Sequence, residues 1–371
     1  MSLSDNQGIP TLPPNGNASN LSRGIFLHTG WRSAGTWVWS KFRELESVTA
    51  FYEPLSNVIG DLKLVDLGVL KPSFNSGHPA LNAPYFAEYR SFMREGARGV
   101  PGYRRRFSTD RFGAAPDEEF PALQAYLHEL TERTLDAGKM PVFKFCRSSG
   151  RLPWLKHAFP AALHAAVLRN PASQFASGWL LHQEWRNTFF VAAPLRVLGL
   201  NQREPIVKAA IDACEARLPP DAPTSDDTYA AVCEQYARTI EGSQAYRAFI
   251  ALWALAAVRM ANAADIVIDI DRLGSEQAYA IDSAARIAAK SGIAPRFNDA
   301  RDLVDELKRT PGRIAGVDGR SIRAVHGAVQ KFVDAHVAAS QAAAASVHAQ
   351  DVAALVREKL ALAAAVSEPW R

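Results

Sequence analysis

Cysteine is scarce in this sequence: Cys146, Cys214 and Cys233 are the only three in 371 residues. None stands in CxxC spacing, which argues against a disulfide framework and against a structural zinc site. A reducing, cytoplasmic setting is expected. The histidines lack ligand spacing and no carboxylate cluster is evident, so no metal is expected. Long apolar runs are missing as well, and without about eighteen consecutive apolar residues no helix is expected to span a bilayer. Met1–Asn20 is polar, carries Pro and Gly, and has no apolar core. It reads as a disordered tail and not as a secretory signal. Neither sign of charge dominates. Lys and Arg number 42 against 38 Asp and Glu, a net charge of +4, which does not suggest a nucleic-acid partner.

What is present is an ordinary globular composition, 48% hydrophobic and 22% charged. Short apolar runs at 24–29, 49–52, 141–145, 163–168 and 265–270 read as strands. Helical spacing is predicted over 37–45, 84–94, 120–135 and 152–159, and from Pro171 onward. Further helices are predicted through 204–263, broken by a polar loop at 219–227, then over 275–291 and through an Ala-rich C-terminus to about residue 365. Apolar strands alternating with helices predict an α/β fold of three layers: a parallel sheet of about five strands with helices on both faces. The expected organisation is a tail (1–20), one ligand-binding domain (21–320) and a C-terminal helical extension (321–371) on that domain. The irregular stretch 55–118 is an expected acceptor-binding insert. Six arginines against two acids lie between Arg94 and Arg111, suiting a solvated loop or a flap over an anion.

Two strand-to-helix junctions carry the chemistry. The first is Trp31-Arg32-Ser33-Ala34-Gly35-Thr36-Trp37, where small residues let the backbone approach an anion at a helix N-terminus. Gly30 and Gly35 have the separation of a nucleoside-triphosphate loop, but Thr36 and Trp37 stand where Lys and Ser/Thr are required. The second junction is Arg169-Asn170-Pro171 with Ser177 two helical turns on. An arginine fork at a strand end suits phosphate.

Together these motifs resemble the two cofactor sites of sulfotransferases that use 3′-phosphoadenosine 5′-phosphosulfate (PAPS). The first resembles the family's P-K-S-G-T-T-W or R-S-G-T-T loop, with Ala34 in place of Gly and Gly35 in place of the first Thr. The second resembles its R-(D/N)-P…Ser 3′-phosphate site. The resemblance implies PAPS as donor and 3′-phosphoadenosine 5′-phosphate (PAP) as product. It assigns Arg32, Ser33, Ala34, Gly35, Thr36, Trp37, Arg169 and Ser177 to cofactor binding, and more loosely Arg313, in the Gly- and Arg-containing segment 309–320. Arg32 and Lys144 are the expected charges for the leaving oxygen. Cys146 stands where cytosolic members carry a histidine base, so Glu53, placed like the glutamate of carbohydrate and tyrosyl-protein members, is the expected base if burial raises its pKa. His78, Tyr85, Arg147 and Arg151 are expected around the acceptor, a hydroxyl of a carbohydrate or small metabolite. Two other readings remain open: a P-loop small-molecule kinase using Lys144 and Asp269, and a non-catalytic nucleotide-binding protein. The C-terminal helix suits either core packing or a homodimer.

Overall fold

The structure, a computed structural model, describes residues 22–70, 78–79, 81, 83–108, 113–220, 226–309, 314–341 and 347–370. The expected N-terminal tail and Arg313 lie outside the described residues.

Five strands, β1 (Ile25–His28), β2 (Val48–Tyr52), β3 (Met140–Phe145), β4 (Leu163–Leu168) and β5 (Ile266–Asp269), form one parallel sheet in the order β2-β3-β1-β4-β5. The fold is α/β with three layers, as the alternation of runs predicts. β1 lies at the centre, between β3 and β4. Side-chain alternation divides the core. On β4, Ala165 and Val167 join one apolar cluster, while Ala166 and Leu168 join the other.

One face carries α1 (Gly35–Arg43) and α2 (Pro121–Asp136). α3 (Leu152–Ala158) follows β3. The other face carries α4 (Pro171–Trp185), α5 (Phe189–Asn201), α6 (Pro205–Cys214), α7 (Asp226–Ala237) and α8 (Gly242–Ala263). α8 is apolar nearly all round and is correspondingly the most buried helix of this layer. After β5 come α9 (Ile270–Ser275), α10 (Gln277–Ser291) and α11 (Leu303–Lys308). The chain closes with α12 (Gly319–Gln341) and α13 (Val347–Ser367). Both pack on α8, and Val352, Val356, Leu360 and Ala363 of α13 are buried in that core. Among the described residues no helix is long and apolar enough to cross a membrane.

Two local expectations are corrected. The helix expected over 84–94 is a 3₁₀ turn, Ala87–Phe92. Arg43 donates to the carbonyls of Ala83 and Pro84 and to both carboxylate oxygens of Glu88. Those carbonyls would otherwise accept the first amides of an α-helix. The sequence marks no separate helix over 189–201, where α5 runs with Pro194 inside it. In the arginine-rich stretch, Arg94, Arg98 and Arg104–Arg106 are exposed, and buried Val100 and Phe107 tack it down. Arg98 pairs with Asp61. Arg111 is outside the described residues.

Candidate functional site

Strand ends build the site. At the carboxyl end of a central strand in a parallel sheet, the chain leaves toward helices on either face and opens a crevice. β1 delivers the loop Gly30–Thr36 there, and the N-terminus of α1 closes it. Ser33 Oγ donates to the Gly30 carbonyl at 2.8 Å, so this hydroxyl holds the turn itself. Gln174 Nε2 on α4 donates to the Trp31 carbonyl at 2.8 Å. Arg32 and Ala34 both have left-handed backbones, with φ of 64° and 65°. Such conformations cost a non-glycine residue about 1–2 kcal/mol and collect where function over-determines the geometry.

The exchange of small residues in this loop has a steric basis. A Cβ on Gly35 would stand 2.6 Å from Thr29 Cβ and Cγ2. Thr29 is fixed by its own bond to the Phe145 carbonyl, 2.9 Å away. Gly35→Ala should therefore displace the loop. We expect a stability loss of about 1–3 kcal/mol, the usual range for overpacking, read as a lowered urea midpoint. An unchanged midpoint would show that the loop tolerates another path.

Arg169 continues from β4. Its Nε donates to Ser173 Oγ at 2.9 Å and its Nη1 to the backbone carbonyl of Arg32 at 3.0 Å. These partners are a hydroxyl and a carbonyl, not a carboxylate. Burial lowers its pKa to about 10, against the raising influence of Asp271. The guanidinium remains charged at neutral pH. Ser177 bonds to Arg32, whose Nε and Nη2 lie 3.2 and 2.9 Å from Ser177 Oγ. Thus the serine expected beside Arg169 bonds to Arg32, and it is Ser173 that bonds to Arg169. Burial lowers the Arg32 pKa too.

The third group lies at the ends of β2 and β3, where Tyr52 is in register with Lys144. Lys144 Nζ is 2.5 Å from Glu53 Oε1, and Arg147 Nη1 is 3.4 Å from Glu53 Oε2. The amide of Cys146 donates to Glu53 Oε2 at 3.1 Å. Glu53 is also left-handed, with φ 47°. Burial alone would raise its pKa, but Lys144 and Arg147 more than offset that and hold the carboxyl below its ordinary range. The expected upward shift is therefore reversed. Burial drives the Lys144 ammonium toward deprotonation, but Cys146, Glu53 and Tyr52 outweigh it and raise the pKa. Burial pushes the Cys146 thiol up to about 11, so it is protonated at neutral pH. His78 Nδ1 bonds to the Tyr85 hydroxyl. Burial first, then Lys144 and Arg32, lower His78 to about 3, so it is neutral at physiological pH.

These residues share one cavity of about 760 Å³, within the range of ligand sites. Its walls include Arg32, Ala34, Gly35, Thr36 and Trp37 of the loop, Glu53, Lys144 and Arg147, and His78, Tyr85, Arg169 and Ser177. Trp37 is half-buried, with Phe297 packed at 5.8 Å. Arg151 does not reach this cavity. It is buried, donates to the Phe107 carbonyl at 2.7 Å, and lines a smaller side cavity with Arg147, Arg196 and Phe189. Tyr52, Ser173 and Gln174 were missed in the sequence. Their spacing marks them only as core or helix residues, and their roles depend on which strands adjoin. Asp269, the carboxylate of the kinase reading, points elsewhere: it caps α9 and pairs with Lys359. Among the described residues no group of three or more His, Cys, Asp or Glu side chains is placed to hold a metal ion.

No protein-family model matches the chain, and neither a curated protein nor a solved structure matches it at a significant level.

Proposed function

We propose that this protein is a sulfotransferase that moves the sulfuryl group of PAPS to a hydroxyl of a carbohydrate or other small metabolite. The observation that carries this reading is the convergence of Arg32, Lys144 and Arg169 on one cavity, with Arg169 bonded, among the described residues, to a hydroxyl and a carbonyl. A buried guanidinium held by neutral groups suits an anionic ligand. Cations at separate strand ends suit a nucleotide with anionic groups at two positions. The residues present therefore fit PAPS. Loop 30–36 and Arg32 would take the 5′-phosphosulfate, Arg169 and Ser177 the 3′-phosphate, and half-buried Trp37 the base. PAPS supplies an activated sulfuryl group whose departure leaves charge on the bridging oxygen.

The protein's own part is placement of charge and proton. Arg32 stays protonated and acts by hydrogen bonding. Glu53 is the carboxylate beside Lys144 in the cavity wall and accepts the proton of the acceptor hydroxyl. Lys144 Nζ has two claims on it: Glu53, and the anion for which the loop is shaped. A shift of Nζ toward the loop leaves Glu53 with Arg147 and the Cys146 amide, and raises its proton affinity. His78 and Tyr85 stand at the same wall and face the acceptor. The reading carries a cytoplasmic setting, with which three buried cysteines outside any disulfide are compatible.

The test is thermal stability with PAP, and separately with ATP and magnesium. At 100 times its dissociation constant a ligand stabilises by about 2.7 kcal/mol, a shift of a few degrees for a chain of this size. Stabilisation by PAP, abolished in Arg169→Ala, is expected. A response to magnesium-ATP alone would replace this reading with a kinase.

A further inference from the structure

Lys359, in the middle of α13, is fully buried. Its Nζ lies 2.7 Å from Asp269 Oδ1 and 3.1 Å from Asp271 Oδ2. Both carboxylates are buried at the carboxyl end of β5. Asp271 has a second set of partners. Its Oδ2 accepts from the Asn170 amide and its Oδ1 from Asn170 Nδ2, each at 2.8 Å. Asn170 Nδ2 in turn donates to Ser173 Oγ at 2.7 Å, and Asn170 Oδ1 accepts from the Ser173 amide at 2.9 Å. Ser173 Oγ is the acceptor for Arg169 Nε.

We propose that Lys359 is a positioning residue for Arg169, acting through Asp271, Asn170 and Ser173 to aim the guanidinium at a 3′-phosphate. The inference rests on the PAPS reading above. Lys359 itself lines neither the large cavity nor the side cavity. Its effect is electrostatic at the far end of the chain of contacts. Two adjacent buried carboxylates repel, and without a cation one of them must take up a proton or move. A protonated or displaced Asp271 surrenders one of its two bonds to Asn170. Asn170 is the N-cap of α4, and its amide group also orients Ser173 Oγ. The Nε side of the Arg169 fork loses its fixed aim in consequence, while loop 30–36 keeps the bonds of Ser33 to the Gly30 carbonyl and of Gln174 to the Trp31 carbonyl.

The experiment is calorimetric titration of the full-length protein with PAP and with adenosine 5′-phosphate, which differ only in the 3′-phosphate. Lys359→Met should weaken PAP about tenfold, the scale of one charge-assisted hydrogen bond, and weaken adenosine 5′-phosphate less than about twofold. Adding Asp269→Asn to Lys359→Met removes the surplus negative charge and should restore most of the PAP affinity. Equal losses for both ligands would make Lys359 a support of the fold and overturn the inference. So would unchanged PAP binding. Should Lys359→Met fail to fold, Asp271→Asn carries the same comparison at the next link, and an unaltered ratio of the two affinities there overturns the proposal. Wild-type protein that binds neither nucleotide would remove the cofactor reading, and this inference with it.

Discussion

Glu53→Gln should lower turnover by ~10²–10⁴-fold, the usual cost of losing a general base, while PAP still binds. The substitution keeps the shape and removes both the charge and the proton acceptor. It also leaves Lys144 buried without its carboxylate, and breaking a buried pair typically costs about 3–5 kcal/mol. Melting temperature must therefore be followed alongside activity. A Glu53→Gln, Lys144→Met protein, with neither charge, should regain stability without regaining turnover. The pH profile separates the base from a structural carboxylate. Lys144 and Arg147 hold Glu53 below its ordinary range, so in the free protein it is ionised, and competent, above about pH 4.3. Activity is lost only as pH falls through that depressed pKa. The acid limb of kcat/KM should accordingly lie below about pH 4.3, and that of kcat higher. The second shift follows if Lys144 leaves Glu53 when the ligand is bound. Full activity in Glu53→Gln would move the base elsewhere, with His78 next in line. Nucleotide binding with no turnover in either protein would mark a binding protein.

Much of this site is legible in the sequence because it sits on strand ends. All five strands are short apolar runs of branched and aromatic residues, and each expected end is within one residue of the observed one. Glu53 and Arg169 directly follow two of them, Lys144 lies near the end of a third, and Arg32 stands in the loop after a fourth. What the sequence does not carry is adjacency. β2 and β3 are neighbours because β3 inserts between β2 and the central β1, and that neighbourhood puts Lys144 on Glu53. The direction of the Glu53 pKa depends on it, since burial alone would have moved the carboxyl the other way. Ser177 is spaced to follow Arg169, yet its hydroxyl meets Arg32, which comes from another strand. Lys359 is the extreme case. It lies in an Ala-rich helix that reads as packing, and its two aspartates belong to β5 and α9. Local periodicity carries no trace of that contact.

Acidification should destabilise this protein well before its carboxylates are titrated, and the reason lies beneath the same site. His28 on β1 and His164 on β4 stack in the sheet with ring centroids 5.3 Å apart. His164 Nε2 is 3.1 Å from the Phe159 carbonyl, which can only accept, so this nitrogen carries the proton. His164 Nδ1 is then the acceptor for His28 Nε2 at 3.1 Å. His28 Nδ1 in turn accepts from Ser148 Oγ at 2.7 Å. A proton added to His164 Nδ1 must break its bond from His28 Nε2, and one added to His28 Nδ1 must reverse the bond with Ser148. Burial lowers His164 to about 4 and His28 well below its ordinary value. Burial also lowers His326, bonded to Tyr246, to about 4. In the unfolded chain these rings take up protons near pH 6.5. The stability they contribute is complete above that pH and is lost as pH falls toward the folded values. For one ring held near 4, the loss reaches about 3 kcal/mol at the lower end. Urea midpoints measured from pH 7.5 to 4.5 should therefore fall steeply below about pH 6.5, and His164→Gln should flatten the slope. A flat wild-type midpoint across that window would contradict the assignment of neutral rings.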